Sequence, residues 1–130
     1  MQTGETNLAT ILKSLSPFLN PGSYVFCPLP PDREIDNKDI LCSFRESEGT
    51  CVIVTKETAD RLNMEYTVVM SWITLTVHSS LEAVGLTAAF SKALTNANVS
   101  CNVVAALNHD HIFVPEKDAP KAMTVLAQLS

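Results

Sequence analysis

Residues 66–77, YTVVMSWITLTV, are the most β-prone run of the chain, and the pattern that follows them restricts the fold more than any other feature. Twelve residues is long for one strand. The run therefore predicts two strands divided near Ser71-Trp72, or one strand with a bend. From Leu81 to Ala97 apolar residues recur at helical spacing, with Ala83, Leu86, Phe90, Ala93 and Ala97 on the inner face. Ser79 and Glu82 fit a capping box at its start, Ser79 accepting from the N3 amide while Glu82 reaches back. Val99 to Leu107 predicts a strand, Asn108-His109-Asp110 a turn, and His111 to Val114 the returning strand. Pro115 opens a second helix, carried by Ala119, Ala122, Met123, Leu126 and Leu129. This half reads β-α-β-β-α.

The first half repeats the same kinds of element. Leu8, Ile11, Leu12 and Leu15 lie at i, i+3, i+4 and i+7 on one helical face, and Pro17 and then Pro21-Gly22 are expected to end that helix. Tyr24 to Cys27 predicts a short strand, and PDREIDNKD a polar loop. Ile40 to Glu46 and Thr50 to Thr55 predict a hairpin over a three-residue turn, Ser47-Glu48-Gly49, with Glu46 facing Thr50 and Cys42 facing Val54. The CVIV run inside the second strand predicts burial on both faces. Thr55 is the expected N-cap of a helix over Lys56 to Asn63. Both halves share the order α, β, β, α. Helices on one face of an antiparallel sheet give a two-layer α+β sandwich. Residues 1–70 and 71–130 are the expected halves, able to form one compact unit.

Composition closes off several function classes. A chain of 130 residues can bury about two-thirds of its unfolded surface without a disulfide or a metal. Fourteen acidic and nine basic residues leave a net charge of −5, and no Lys/Arg cluster supplies the footprint of a nucleic-acid-binding face. No apolar run approaches the ~20 residues that span a bilayer. The start, MQTGETNLAT, lacks a basic n-region and an apolar core, so it is not read as a secretory signal, and a cytoplasmic address is expected. Cys27, Cys42, Cys51 and Cys101 show no CxxC and no zinc-ligand spacing, and read as small apolar thiols in a reducing compartment.

The stretch from Trp72 onward resembles an ACT domain. Three pieces carry the likeness: the strand, loop and helix of Ile73 to Leu94, the strand NANVSCNVVAA, and HIFVPEKDAPKAM, which resembles the end of aspartokinase-type ACT units. The whole chain is similar to the small stand-alone bacterial proteins of the CASTOR-like ACT group. The resemblance implies a ferredoxin-like fold with two ACT-like halves. It also implies an amino-acid effector near the first strand-to-helix loop, and a homodimer associated through its sheets. Two departures stand out. Val77-His78-Ser79-Ser80-Leu81 replaces the Asp-x-Pro-Gly turn of many ACT units, and no final strand is visible after Leu129.

Three places could carry chemistry. His78, Ser79, Ser80 and Leu81 lead into a helix whose free amides suit a carboxylate, although Ser79 could serve only as a cap. Asn102, with Val103 beside it, puts a polar amide into an apolar strand, where it could bond a ligand or sit as an ordinary edge residue. His109 and His111 point to one strand face, and Asp110 could pair with a ligand ammonium group or belong to a polar turn. A metal held there would need His78 or a carboxylate as third ligand, and no ligand-set spacing fixes one. No GxSxG elbow and no GxGxxG loop occurs. Trp72 and the methionines read as core filler.

The leading reading is a non-catalytic sensor or regulatory module for a small molecule, most simply an amino acid, without cofactor, metal, nucleic acid or membrane. The alternative is a ligand-free interaction or dimerisation module. A metal-dependent enzyme ranks third.

Overall fold

Asn7 opens the first helix, α1 (Leu8–Lys13), by accepting from the Thr10 amide at 3.1 Å. This computed structural model describes residues 7–77 and 84–130. Packing divides them between two compact units, one holding residues up to Asn20 with Trp72–Ser130, the other Pro21–Ser71.

In the first unit Ile11 and Leu15 are buried, and Leu8 and Leu12 pack beside them, as the helical spacing predicts. The helix stops at Lys13, however, and Pro17 does not follow it as a breaker. Pro17 lies inside a strand, β1 (Ser16–Leu19), that the sequence pattern does not announce. β1 pairs antiparallel with β5 (Met70–Thr76), Ser16 opposite Thr76 and Leu19 opposite Ile73. A proline is tolerated on such an edge because no ladder bond is asked of its nitrogen.

The long β-prone run becomes the single strand β5. Residues 66–69 stay outside it, and no division falls at Ser71-Trp72. Gly85, at φ 98°, precedes α3 (Leu86–Asn96), which starts later than Leu81. The proposed cap pair Ser79 and Glu82 lies outside the described residues. β6 (Asn102–Ala105) and β7 (Asp110–Pro115) form the expected hairpin, and α4 (Ala119–Ala127) follows a 3-10 turn after Pro115.

The strand order here is β1-β5-β7-β6. Ile73 and Leu75 from β5 and Ile112 and Val114 from β7 point to one face. There they meet Ile11, Leu86, Phe90, Leu94, Ala122 and Leu126 of the segments 8–15, α3 and α4. The fold is ferredoxin-like, and β1 takes the place of the strand missing after Leu129.

The second unit is built on β4 (Gly49–Thr55), flanked by β3 (Cys42–Glu46) and β2 (Tyr24–Leu29), with Tyr24 also paired to Met70. Val52, Ile53 and Val54 are all buried, so β4 is covered on both faces as expected. The hairpin register differs by one residue from the expected one. Glu46 pairs with Gly49, and Cys42 faces Ile53 rather than Val54. Gly49 adopts φ 136°, a region that favours glycine, and closes the hairpin over two residues instead of three. Thr55 caps α2 (Lys56–Arg61), accepting from the Thr58 amide at 3.1 Å.

The helix that would match α1 in a shared α, β, β, α order is absent from this unit, because α1 belongs to the other core. Residues 30–41, with a 3-10 turn at Asn37–Asp39, lead from β2 to β3 instead. α2 and α3 end alike. Asn63 and Asn98 turn into the left-handed region, and the next amides, Met64 and Val99, return to Ala59 and Leu94. This motif satisfies the last carbonyls and turns Met64 and Val99 into the cores.

Candidate functional site

The alternation of β5 and β7 sends Ile73 and Ile112 to the helices, so Trp72, Thr74, His111 and Phe113 occupy the other face. The Trp72 indole N–H donates to His111 Nδ1 at 3.0 Å, and Thr74 Oγ1 lies 3.1 Å from the same nitrogen. Asn20, just past β1, donates from Nδ2 to Thr74 Oγ1 at 2.9 Å and to the Trp72 carbonyl at 3.2 Å. Phe113 stacks on the Trp72 ring at 6.4 Å. Trp72 is therefore half-buried with its polar atom engaged, not simple core filler.

A His111 Nδ1 that accepts must be unprotonated, which places the ring proton on Nε2. Burial lowers its pKa below the ordinary 6.5, nearby His109 pushes the same way, and Asp110 opposes them. The ring of His109 stands edge-on to His111 at 6.1 Å, so the two do share a region as their spacing predicts. The Nδ1 atom of His109 is buried without a hydrogen-bond partner. Among the described residues no group of three or more His, Cys, Asp or Glu is placed to hold a metal ion.

Asp110 starts β7 opposite Ala105, at the tip of the β6–β7 hairpin. It is half-buried, and burial raises its carboxyl pKa above the ordinary 3.8, with His111 acting weakly in the opposite sense. No described lysine or arginine forms an ion pair with it. Because β5 and β7 are neighbours in an antiparallel sheet, the start of β7 lies at the end where β5 finishes and the chain passes towards α3.

Asn102 lies elsewhere. It pairs with Phe113, three rungs or roughly 10 Å along the strand from the Ala105–Asp110 pair, and on the opposite face from Asp110. Its Nδ2 donates to the Phe113 carbonyl at 3.2 Å. Val103 faces Ile112 and is partly exposed. The structure thus does not bring Asn102 and Asp110 together. His78, Ser79, Ser80 and Leu81 lie outside the described residues.

The thiols offer little nucleophilic chemistry. Burial raises the pKa of Cys27 and Cys51, and pushes Cys101 up to about 11.

ACT-domain family patterns match residues 3–71 and, separately, residues 67–128. The chain belongs to the ACT-domain family. ACT domains are generally regulatory modules that bind small molecules and are not themselves catalytic. This ACT protein is 40% identical to a solved Vibrio cholerae protein of unknown function described as a possible transport protein. That match covers 94% of each chain with a TM-score of 0.81. An Agrobacterium tumefaciens protein shares the fold at 17% identity and a TM-score of 0.65, over 88% of each chain. The aspartate kinase of Clostridium acetobutylicum, an allosteric enzyme, shares it at 12% identity and a TM-score of 0.64. There the match covers 96% of this chain and 36% of the kinase. No curated protein matches. No described helix is long and apolar enough to cross a membrane.

The sequence pattern places His111 in a strand but does not announce its partners Trp72 and Thr74, or Asn20 behind Thr74. The available signal was the polar or aromatic alternation Trp72-x-Thr74 and His111-x-Phe113 about buried Ile73 and Ile112.

Proposed function

We propose that this ACT protein is a non-catalytic regulatory module that binds a free amino acid where β5 leads towards α3 and β7 begins. The observation that carries this reading is Asp110, a half-buried carboxylate without a described cationic partner at that end of the sheet. A ligand ammonium would complete it by a charge-assisted hydrogen bond. The ligand carboxylate would fall to the hydroxyls of Ser79 and Ser80, in the segment that joins β5 to α3. Asn102 and Val103 are left out of this site because they lie at the other end of the hairpin.

The test is a thermal-shift screen against the twenty amino acids. A ligand at 100 times its Kd stabilises the native state by about 2.7 kcal/mol, which is several degrees for a chain of this size. Asp110→Asn is expected to weaken binding at least about tenfold, a loss of ~1.4 kcal/mol. A flat screen on folded protein would overturn the reading.

A second reading, a ligand-free interaction module, draws on the edge strand β1, where Phe18 is 57% and Leu19 is 41% exposed. Two copies joined through such edges would be the homodimer that the family resemblance implies. Its mark is a concentration-dependent mass that amino acids leave unchanged.

A further inference from the structure

The second unit carries a shallow groove of about 610 Å³, open to solvent along most of its extent. Phe26 and Pro28 of β2 form one side; Met64, Glu65, Tyr66 and Thr67, between α2 and β5, form the other. The Tyr66 hydroxyl donates to Asp60 Oδ1 at 2.6 Å, Lys56 holds Asp60 Oδ2 at 2.8 Å, and the Lys56 ammonium also reaches the Tyr66 hydroxyl. These bonds fix the phenol as a wall of the groove and leave Lys56 and Asp60 paired with each other. Glu65 is different: it lines the groove, is exposed, and has no ion-pair partner among the described residues. No lysine or arginine lines the groove. The surrounding field has the same sign, since residues 21–71 hold nine acidic and five basic side chains.

We propose that this groove binds an organic cation, an alkylated ammonium whose apolar substituents lie against Phe26, Pro28 and Tyr66 and whose charge faces Glu65. Aromatic faces attract such a cation through their quadrupoles, and a carboxylate beside them sets the sign of the ligand. An amino acid fits this groove poorly, because its own carboxylate would meet Glu65, and the nearby Lys56 ammonium is already held by Asp60 at 2.8 Å. The groove therefore calls for an amine without an acid group. Its residues are separate from Asp110 and the segment leading into α3.

The experiment is an amide-resolved NMR titration of the whole chain with choline and with its neutral isostere, 3,3-dimethylbutan-1-ol. Choline is expected to shift the amides of Phe26 and of residues 64–67, and to leave those of Asp110 and Gly85 in place. The neutral alcohol is expected to bind about tenfold more weakly, since it keeps the shape and loses both the cation–π and the carboxylate contacts. Glu65→Gln, on an exposed side chain, is expected to weaken choline two- to fivefold. Tyr66→Leu is expected to weaken it about fivefold, and Tyr66→Phe, which keeps the ring, by less than twofold. Equal binding of choline and the alcohol overturns the proposal, and so do shifts that avoid residues 64–67 or an absence of shifts. A failed amino-acid screen with choline shifts at Tyr66 would remove the first site and leave this one standing.

Discussion

Replacing Trp72 by Phe keeps an aromatic ring beside Phe113 and removes one hydrogen-bond donor, the indole N–H that meets His111 Nδ1 at 3.0 Å. Nδ1 has a single in-plane lone pair, so Trp72 and Thr74 share one acceptor site and the bond counts once. A half-exposed bond of this kind contributes about 1 kcal/mol. That contribution exists only while His111 is neutral, because a proton on Nδ1 faces the indole N–H and cancels the bond.

His111 has a pKa lowered below 6.5 in the native state. Well above pH 6.5 neither the native nor the unfolded state holds this proton, and the bond is fully present. As the pH falls below 6.5 the unfolded state takes up the proton first, so stability declines until native His111 is protonated too. Trp72→Phe relieves part of the resistance and raises the His111 pKa towards 6.5. Urea unfolding followed by circular dichroism at steps from pH 8 to pH 5 reads both effects. The variant is expected to be less stable by at most about 1 kcal/mol at pH 8, because the Thr74 hydroxyl 3.1 Å away can still donate to Nδ1, plus a constant loss from its smaller ring. The gap narrows as the pH falls. Asp110, whose carboxyl burial raises above the ordinary 3.8, is present in both proteins and contributes to both curves. A gap independent of pH, or a nitrogen-15 spectrum placing the neutral proton on Nδ1, would refute the argument.

Phe90 is fully buried among Leu86, Leu94 and Leu126, so Phe90→Ala is expected to lower the unfolding free energy by about 3–5 kcal/mol with an unchanged urea slope. A fragment of residues 71–130 lacks β1 and loses buried Ile11 and Leu15 from its core, roughly 2 kcal/mol of burial for each. It is expected to show no cooperative melt by circular dichroism, and a sharp transition in that fragment would refute the role given to β1.

The candidate site was legible in part. His109, Asp110 and His111 could be placed on a hairpin because the turn residues precede a clear apolar strand. The separation of Asn102 from Asp110 could not be read, since it depends on pairing register and a one-residue slip reverses every face. The hairpin of β3 and β4 shows the same sensitivity, where Gly49 at φ 136° shortens the turn and moves Cys42 from Val54 to Ile53. The Trp72–His111 bond joins residues 39 apart in sequence, and nothing local to either residue announces it.

Helices and strands with strong local patterns came through: the Thr55 cap, the buried CVIV strand, the helical spacing from Leu86 to Leu94. β1 did not, and the reason is general. SPFL is four residues long and contains a proline, so its intrinsic preference points to a break. Its strand character comes from β5, which offers an unpaired edge opposite Ser16–Leu19. An edge also relaxes the objection to proline, because the N–H it lacks is needed only towards a second neighbour. The same pairing explains why α1 joins the core of α3 and α4 although it precedes residues 21–71. Once β1 is fixed on β5, the adjoining Ile11 and Leu15 can be buried in that core and do not reach the one around Val52 and Val54. The partner strand, not the local sequence, decides both the structure of residues 16–19 and the unit to which α1 belongs.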